Sequence, residues 1–112
     1  MTSEVALEPL PDATVVRLRG DIDLSTSDQL SAVSASALAR GLPVRLDLSA
    51  VTFIDSTALG FVARLAAAER ESGRTLAVRG GSRRTLDTIR LIGLEDMLDL
   101  EPDADPDAAG AG

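Results

Sequence analysis

The 112-residue chain contains no cysteine, no histidine, no lysine, no tyrosine and no tryptophan. Each absence removes a class of chemistry. Without cysteine there is no disulfide and no thiolate metal site. Without histidine there is neither an imidazole ligand nor an imidazole general base. Phe53 and Phe61 are the only aromatics, so any core must be aliphatic. No run is long and apolar enough to cross a bilayer. The start, Met1-Thr2-Ser3-Glu4, lacks the basic opening and apolar stretch of a secretory signal. A cytoplasmic protein is expected.

What is present suits one compact domain, with 45% apolar residues in a chain of this length. The net charge is −7. That balance argues against nucleic acid or an anionic membrane as a direct partner. It suits a partner with a basic face, although ordinary solubility charge has the same sign.

Along the chain, Val5 and Leu7 between Glu4 and Glu8 read as a first strand ending at Pro9. Residues 14–19 alternate, with Val16 and Leu18 against Val15, Arg17 and Arg19, and complete a hairpin. Thr26 with Gln29 has capping-box spacing. Leu30, Val33, Ala37 and Leu38 follow as a helical stripe closed by Gly41. Pro43 opens a strand carrying Val44, Leu46 and Leu48. A helix follows from Ser56 to about Glu71 with Gly73 as its stop. Leu76 and Val78 mark another strand. Ser82 is a candidate cap for a helix carrying Leu86 and Ile89, ended by Gly93, and residues 97–100 suggest a last short strand. The order implies parallel strands with right-handed crossovers in the middle of the chain. The alternating apolar pattern implies helices mainly on one sheet face. The reading is an α/β domain, a small mixed sheet of four to five strands over residues 1–100. Residues 101–112 have no period and no apolar side chain larger than Ala, and read as a disordered acidic tail.

The most informative stretch is Phe53-Ile54-Asp55-Ser56-Thr57-Ala58-Leu59-Gly60. An apolar strand stops at three small polar residues, and a helix with Ala58, Phe61, Val62 and Leu65 on one face begins at once. Hydroxyls therefore sit at a helix N-terminus, where free N–H groups and the dipole favour negative charge. One of the three residues is expected to cap the helix. A spare hydroxyl would then be exposed.

Ser56 makes a poor nucleophile, because the chain offers no His or Lys base and no Gly-x-Ser-x-Gly elbow. The protein is read as not an enzyme. Asp21-Ile22-Asp23-Leu24-Ser25 resembles the opening of an aspartate-nucleophile phosphatase, but that chemistry also needs a lysine and a larger scaffold. As a calcium loop the same stretch fails, with Thr26 at the Gly position and Ala32 at the closing Glu position. Asp103, Asp105 and Asp107 fail for a similar reason, with Pro106 where a loop must curl. Gly80-Gly81-Ser82-Arg83-Arg84 reads as a capped strand-to-helix loop rather than a phosphate cradle, since no Gly-Lys-Ser/Thr follows. No cofactor and no metal are expected.

Three features resemble the anti-sigma factor antagonists, a bacterial class of STAS domain. Gly20-Asp21-Ile22-Asp23 is similar to the family's Gly-Glu-Leu-Asp. Leu46-Asp47-Leu48-Ser49 leads through Val51 and Phe53 into the motif. Asp55-Ser56-Thr57-Ala58-Leu59-Gly60 is similar to Asp-Ser-Ser/Thr-Gly-Leu-Gly, with Ala58 where glycine is usual. The resemblance spans about residues 4–101. It implies a protein that binds an anti-sigma factor with ATP-dependent serine kinase activity and so frees a sigma factor. The kinase would phosphorylate Ser56, and a serine phosphatase would reverse this. Asp21, Asp23, Asp55, Thr57, Leu59 and Gly60 would form the partner-binding surface. A different class shares the fold: a STAS scaffold subunit of a transporter-associated or stress-signalling assembly, never phosphorylated. A nucleotide-binding role lacks a lysine or phosphate loop.

Overall fold

The computed structural model describes residues 3–101. The tail expected from residue 101 lies, from 102 onward, outside the described residues, while Glu101 itself closes a strand. Five strands, β1 (Glu4–Pro9), β2 (Thr14–Ile22), β3 (Val44–Ile54), β4 (Leu76–Arg79) and β5 (Leu98–Glu101), form one sheet in chain order. The first pair is antiparallel and the other three pairs are parallel. Three helices, α1 (Ser27–Ala39), α2 (Ser56–Glu71) and α3 (Arg83–Leu91), fill the crossovers.

The period-two pattern decides which face the helices cover. Val16, Leu18, Val44, Leu46, Leu48, Leu76 and Val78 point one way and are buried. Helix α2 packs Ala58, Phe61, Val62 and Leu65 onto them, and α3 adds Ile89. Burying each large aliphatic side chain contributes roughly 1.5–3 kcal/mol, so this aliphatic layer carries the fold. The opposite sheet face stays polar. There Arg17 lies across the strands from Glu8 at 2.7 Å and Asp47 at 3.8 Å. Burial pushes the Asp47 carboxyl up. Hydrogen bonds from the Ser49 hydroxyl and N–H, with the nearby Arg17 and Arg79 charges, outweigh that and hold it below the usual range.

Two long side chains tie the layers together. Arg40, following α1, donates to the carbonyls of Leu10 and Ala13 and to the Thr14 hydroxyl, and so anchors the β1–β2 turn. Glu69, on the buried face of α2, accepts from the Val44 N–H at 3.1 Å and from Arg74 through both oxygens. A carboxylate only 1% exposed is tolerated because every near partner is a donor.

The structure corrects the start of α1. Thr26 is the residue before the helix but makes no side-chain cap. Its hydroxyl donates instead to the Asp23 carbonyl at 2.7 Å, and it is buried. A 3₁₀ turn, Leu24–Thr26, precedes the helix and is capped by the Asp23 carboxylate. Strand β2 also runs three residues past its expected end. Two register shifts against β3, one beside Gly20 at φ +78°, let the pair continue to Ile22.

Candidate functional site

Strands β2 and β3 end side by side, with Asp21 paired to Phe53 and Ile22 to Ile54. The Asp55 N–H donates to the Ile22 carbonyl at 3.1 Å, which fixes the start of α2 beside the end of β2. Asp21, Asp23, Asp55 and Ser56 are thereby gathered at the carboxyl end of these two strands.

Among the three polar residues, Asp55 does the capping. It is extended, at φ −104° and ψ −176°, and its carboxylate accepts from the Ala58 N–H at 3.0 Å. Its carbonyl accepts the first intrahelical bond, from the Leu59 N–H. Ser56 is then the first helical residue, exposed, and its hydroxyl bonds to no protein group among the described residues. The N–H groups of Ser56 and Thr57 precede the first intrahelical bond and have no helical carbonyl to donate to. Thr57 is half-buried.

The acids around this hydroxyl are held locally. Asp21 Oδ1 accepts from the Thr52 hydroxyl at 2.7 Å, and Asp23 Oδ1 accepts from the Ser25 N–H at 3.0 Å. Gly60 lies one turn beyond Ser56 on the same side of α2 and is partly exposed. Leu59 departs from its expected place: it is 6% exposed and packs in the core, because it follows the buried stripe of α2 rather than the outer face. Two apolar side chains that the sequence left unassigned stand out here instead. Phe53 is 46% exposed and Leu24 is 69% exposed. Their signal was an apolar residue inside an Asp-rich turn and a Phe in phase with Arg45, Asp47 and Ser49 on the outward side of β3.

Two clefts of about 470 and 480 Å³ lie elsewhere, on the polar sheet face around Arg17, Asp47 and Arg79 and beside α3 around Arg83, Asp87 and Leu91. No cluster of three or more metal-ligating side chains occurs among the described residues. No helix among them is long and apolar enough to cross a membrane. Ser82 caps α3 by accepting from the Thr85 N–H, as the loop reading of Gly80-Gly81-Ser82 requires.

A mixed sheet in chain order, covered by helices on one face, carries an exposed serine that does not cap at the start of its second helix. The chain belongs to the STAS domain family: a family model described as "Mlab, STAS domain" matches residues 5–100. Comparison with curated protein sequences finds no match. Solved structures resemble it over nearly its whole length. An anti-sigma factor antagonist from Mycobacterium paratuberculosis is 29% identical, with a TM-score of 0.75, covering 98% of this chain and 93% of that one. A putative anti-sigma factor antagonist from Thermotoga maritima is 17% identical, with a TM-score of 0.78 and coverage of 96% and 92%. The Bacillus cell fate determinant SpoIIAA, in its phosphorylated form, is 18% identical, with a TM-score of 0.73 and coverage of 96% and 98%. The last two likenesses establish the fold.

Proposed function

We propose that this chain is an anti-sigma factor antagonist whose partner is an anti-sigma factor with serine kinase activity, switched by phosphorylation of Ser56. The observation that carries the reading is the division of labour at the start of α2: Asp55 caps the helix, which leaves the Ser56 hydroxyl exposed and unbonded. Support also comes from the 29% identical Mycobacterium antagonist and from the phosphorylated state in which SpoIIAA has been seen.

In the transfer step the Ser56 oxygen attacks the γ-phosphorus of ATP held by the kinase. The bond from that phosphorus to the bridging oxygen breaks, ADP leaves, and the hydroxyl proton passes to a base on the kinase. A serine phosphatase would restore the hydroxyl and release inorganic phosphate. The phosphoserine adds roughly −1.5 to −2 charge. Within the domain that charge is tolerated, since it sits over the free N–H groups of Ser56 and Thr57. In the complex it must be desolvated, it joins Asp21, Asp23 and Asp55, and it faces the nucleotide's remaining phosphates. A loss of about 1.4 kcal/mol weakens binding tenfold, so the domain need not refold to release its partner.

The test is a panel of ATP-dependent anti-sigma serine kinases read by intact mass. One added phosphate is expected on the wild type and none on Ser56→Ala; a phosphate retained by the alanine variant removes the assignment. Ser56→Asp is expected to bind the same kinase at least tenfold more weakly by calorimetry. Equal affinity would refute the charge argument.

A second reading is supported by a likeness to a sulfate transporter family protein from Wolinella succinogenes, 19% identical with a TM-score of 0.69. Here the chain is a scaffold subunit of a transporter-associated or stress-signalling assembly, and Ser56 is never phosphorylated. A pull-down separates the two by recovering a kinase-like anti-sigma factor or a multi-subunit complex.

A further inference from the structure

Between Ser56 and Ala68, over most of α2, the only charged side chain is Arg64. It is exposed and takes part in no ion pair among the described residues. Its neighbours at helical spacing are Gly60, Phe61, Ala67 and Ala68, and none is an acid. Nor does an acid line the cleft that Arg64 shares with Ser31, Ser34, Ala35, Leu38 and Phe61 between α1 and α2. In a chain of net charge −7, this cation stands without a counter-charge beside it.

The place of its guanidinium is specific. A Cβ added to Gly60 would meet a single atom within 4 Å, Arg64 Nη1 at 3.4 Å. Arg64 therefore bends back toward the start of α2, the direction in which helical side chains lean. It rests over the one residue of the helix that has no side chain. Gly60 lies inside α2 and is absent from the glycines with positive φ, so the backbone does not require glycine there. A glycine inside a helix is destabilising relative to alanine. What it provides is room, since any side chain longer than that of alanine would fill the space the guanidinium occupies. Ser56 lies one turn further back, and helical neighbours four apart stand roughly 5–6 Å apart at Cβ. Ser56, Gly60 and Arg64 thus run along one side of α2, with no side chain at the middle position.

We propose that Arg64 holds the phosphate of phosphorylated Ser56. The guanidinium offers two parallel N–H groups to two phosphate oxygens, a match in both shape and charge. No covalent bond changes in this step. The phosphate otherwise has Asp55 beside it, with Asp21 and Asp23 at the neighbouring strand ends, so Arg64 is the cation on its own helix that offsets this repulsion. Phosphorylation then does more than add charge: it pins the Ser56 side chain back along α2. This inference rests on the reading of Ser56 as the switch and names the residue that orders its modified state.

The experiment uses the full chain with phosphoserine installed at position 56 during translation, so that no kinase is needed. Nitrogen NMR follows the Arg64 Nε–H. On phosphorylation its signal is expected to shift and its exchange with water to slow by about tenfold, as a charge-assisted bond requires. In thermal melts, phosphorylation is expected to lower the midpoint of Arg64→Gln by at least about 2 °C more than that of the wild type. Unmodified Arg64→Gln is expected to melt as the wild type does, since the exposed cation has no partner to lose. Gly60→Leu keeps the cation but fills its place, and is expected to respond to phosphorylation as Arg64→Gln does. Arg64→Lys is expected to recover part of the difference. A purely structural Arg64 would shift the melts of both forms alike. If phosphorylation changes the wild type and Arg64→Gln equally and the Arg64 signal stays in place, the proposal is overturned, while the switch still stands or falls by the kinase panel. If the panel leaves Ser56 unmodified but the installed phosphate engages Arg64, the switch fails and the contact stands.

Discussion

At the scale of single residues, two carboxylates show how the same group serves different ends. Asp55 is half exposed to solvent and spends one oxygen on the Ala58 N–H, which frees its neighbour Ser56 from that duty. Glu69 is fully enclosed and spends both oxygens on Arg74 while also accepting from the Val44 N–H. The second arrangement links the end of α2 to the start of β3 and to the turn after the helix. Removing Arg74 would leave a buried carboxylate with a single neutral donor. Loss of one partner of such a pair costs about 3–5 kcal/mol, because the remaining charge is stranded. Arg74 is partly exposed, so its loss is softened by solvent: Arg74→Ala is expected to lower the urea-unfolding midpoint clearly below that of the wild type. An unchanged midpoint would show that water reaches Glu69 and that the pair is not structural.

At the scale of elements, strong periodicity was enough where one face alone is buried. Strand β3 with Val44, Leu46 and Leu48, and helix α2 with Ala58, Phe61, Val62 and Leu65, were legible because alternation or a 3.6-residue stripe maps directly onto burial. The start of α1 was not legible. Its capping-box spacing at Thr26 and Gln29 lost to a tertiary preference: Thr26 is buried and bonds the Asp23 carbonyl, while Asp23 caps a 3₁₀ turn that no periodicity announces. In the site, the Asp-Ser-Thr motif was legible but which of the three caps was not, because all three can serve as a cap. The residue of β3 that departs from alternation is Val51, buried at an outward position near the register shifts against β2, whereas the exposed Phe53 keeps to it. The connection from β4 to α3 offers a test at this scale. Gly80 has φ +74°, and a Cβ there would lie 2.8 Å from the Ser49 Cα. Gly41 and Gly73 have similar angles with nothing within 4 Å. Gly41→Ala and Gly73→Ala are therefore expected to lose only the left-handed penalty of about 1 kcal/mol. Gly80→Ala is expected to lose at least about 2 kcal/mol, since backbone must also shift. Equal losses at all three in thermal melts would mean that β3 yields freely beneath Gly80.

At the scale of the whole molecule, the sheet separates stability from recognition. Its helix-covered face holds the aliphatic core, its other face carries the Arg17 ion pairs, and the candidate site lies at the carboxyl end of β2 and β3, outside the buried Ile22 and Ile54. A phosphate or a partner at that end can therefore change binding while the core stays as it is. The same layout bears on where the domain stops. The last strand is complete at Glu101, Leu98 is in the core, and Leu100 packs against it. The Gly80 N–H donates to the Glu101 carbonyl, which closes the β4–β5 edge. Among the described residues, every buried apolar residue lies within residues 13–98. We propose that the domain boundary lies just after β5. A chain ending at Glu101 is expected to unfold in one transition with a midpoint within about 2 °C of the full chain, where 1 kcal/mol corresponds to roughly 4–8 °C in a domain of this size. A drop of more than about 5 °C would show that residues 102–112 pack on the domain, and would move the boundary to include them.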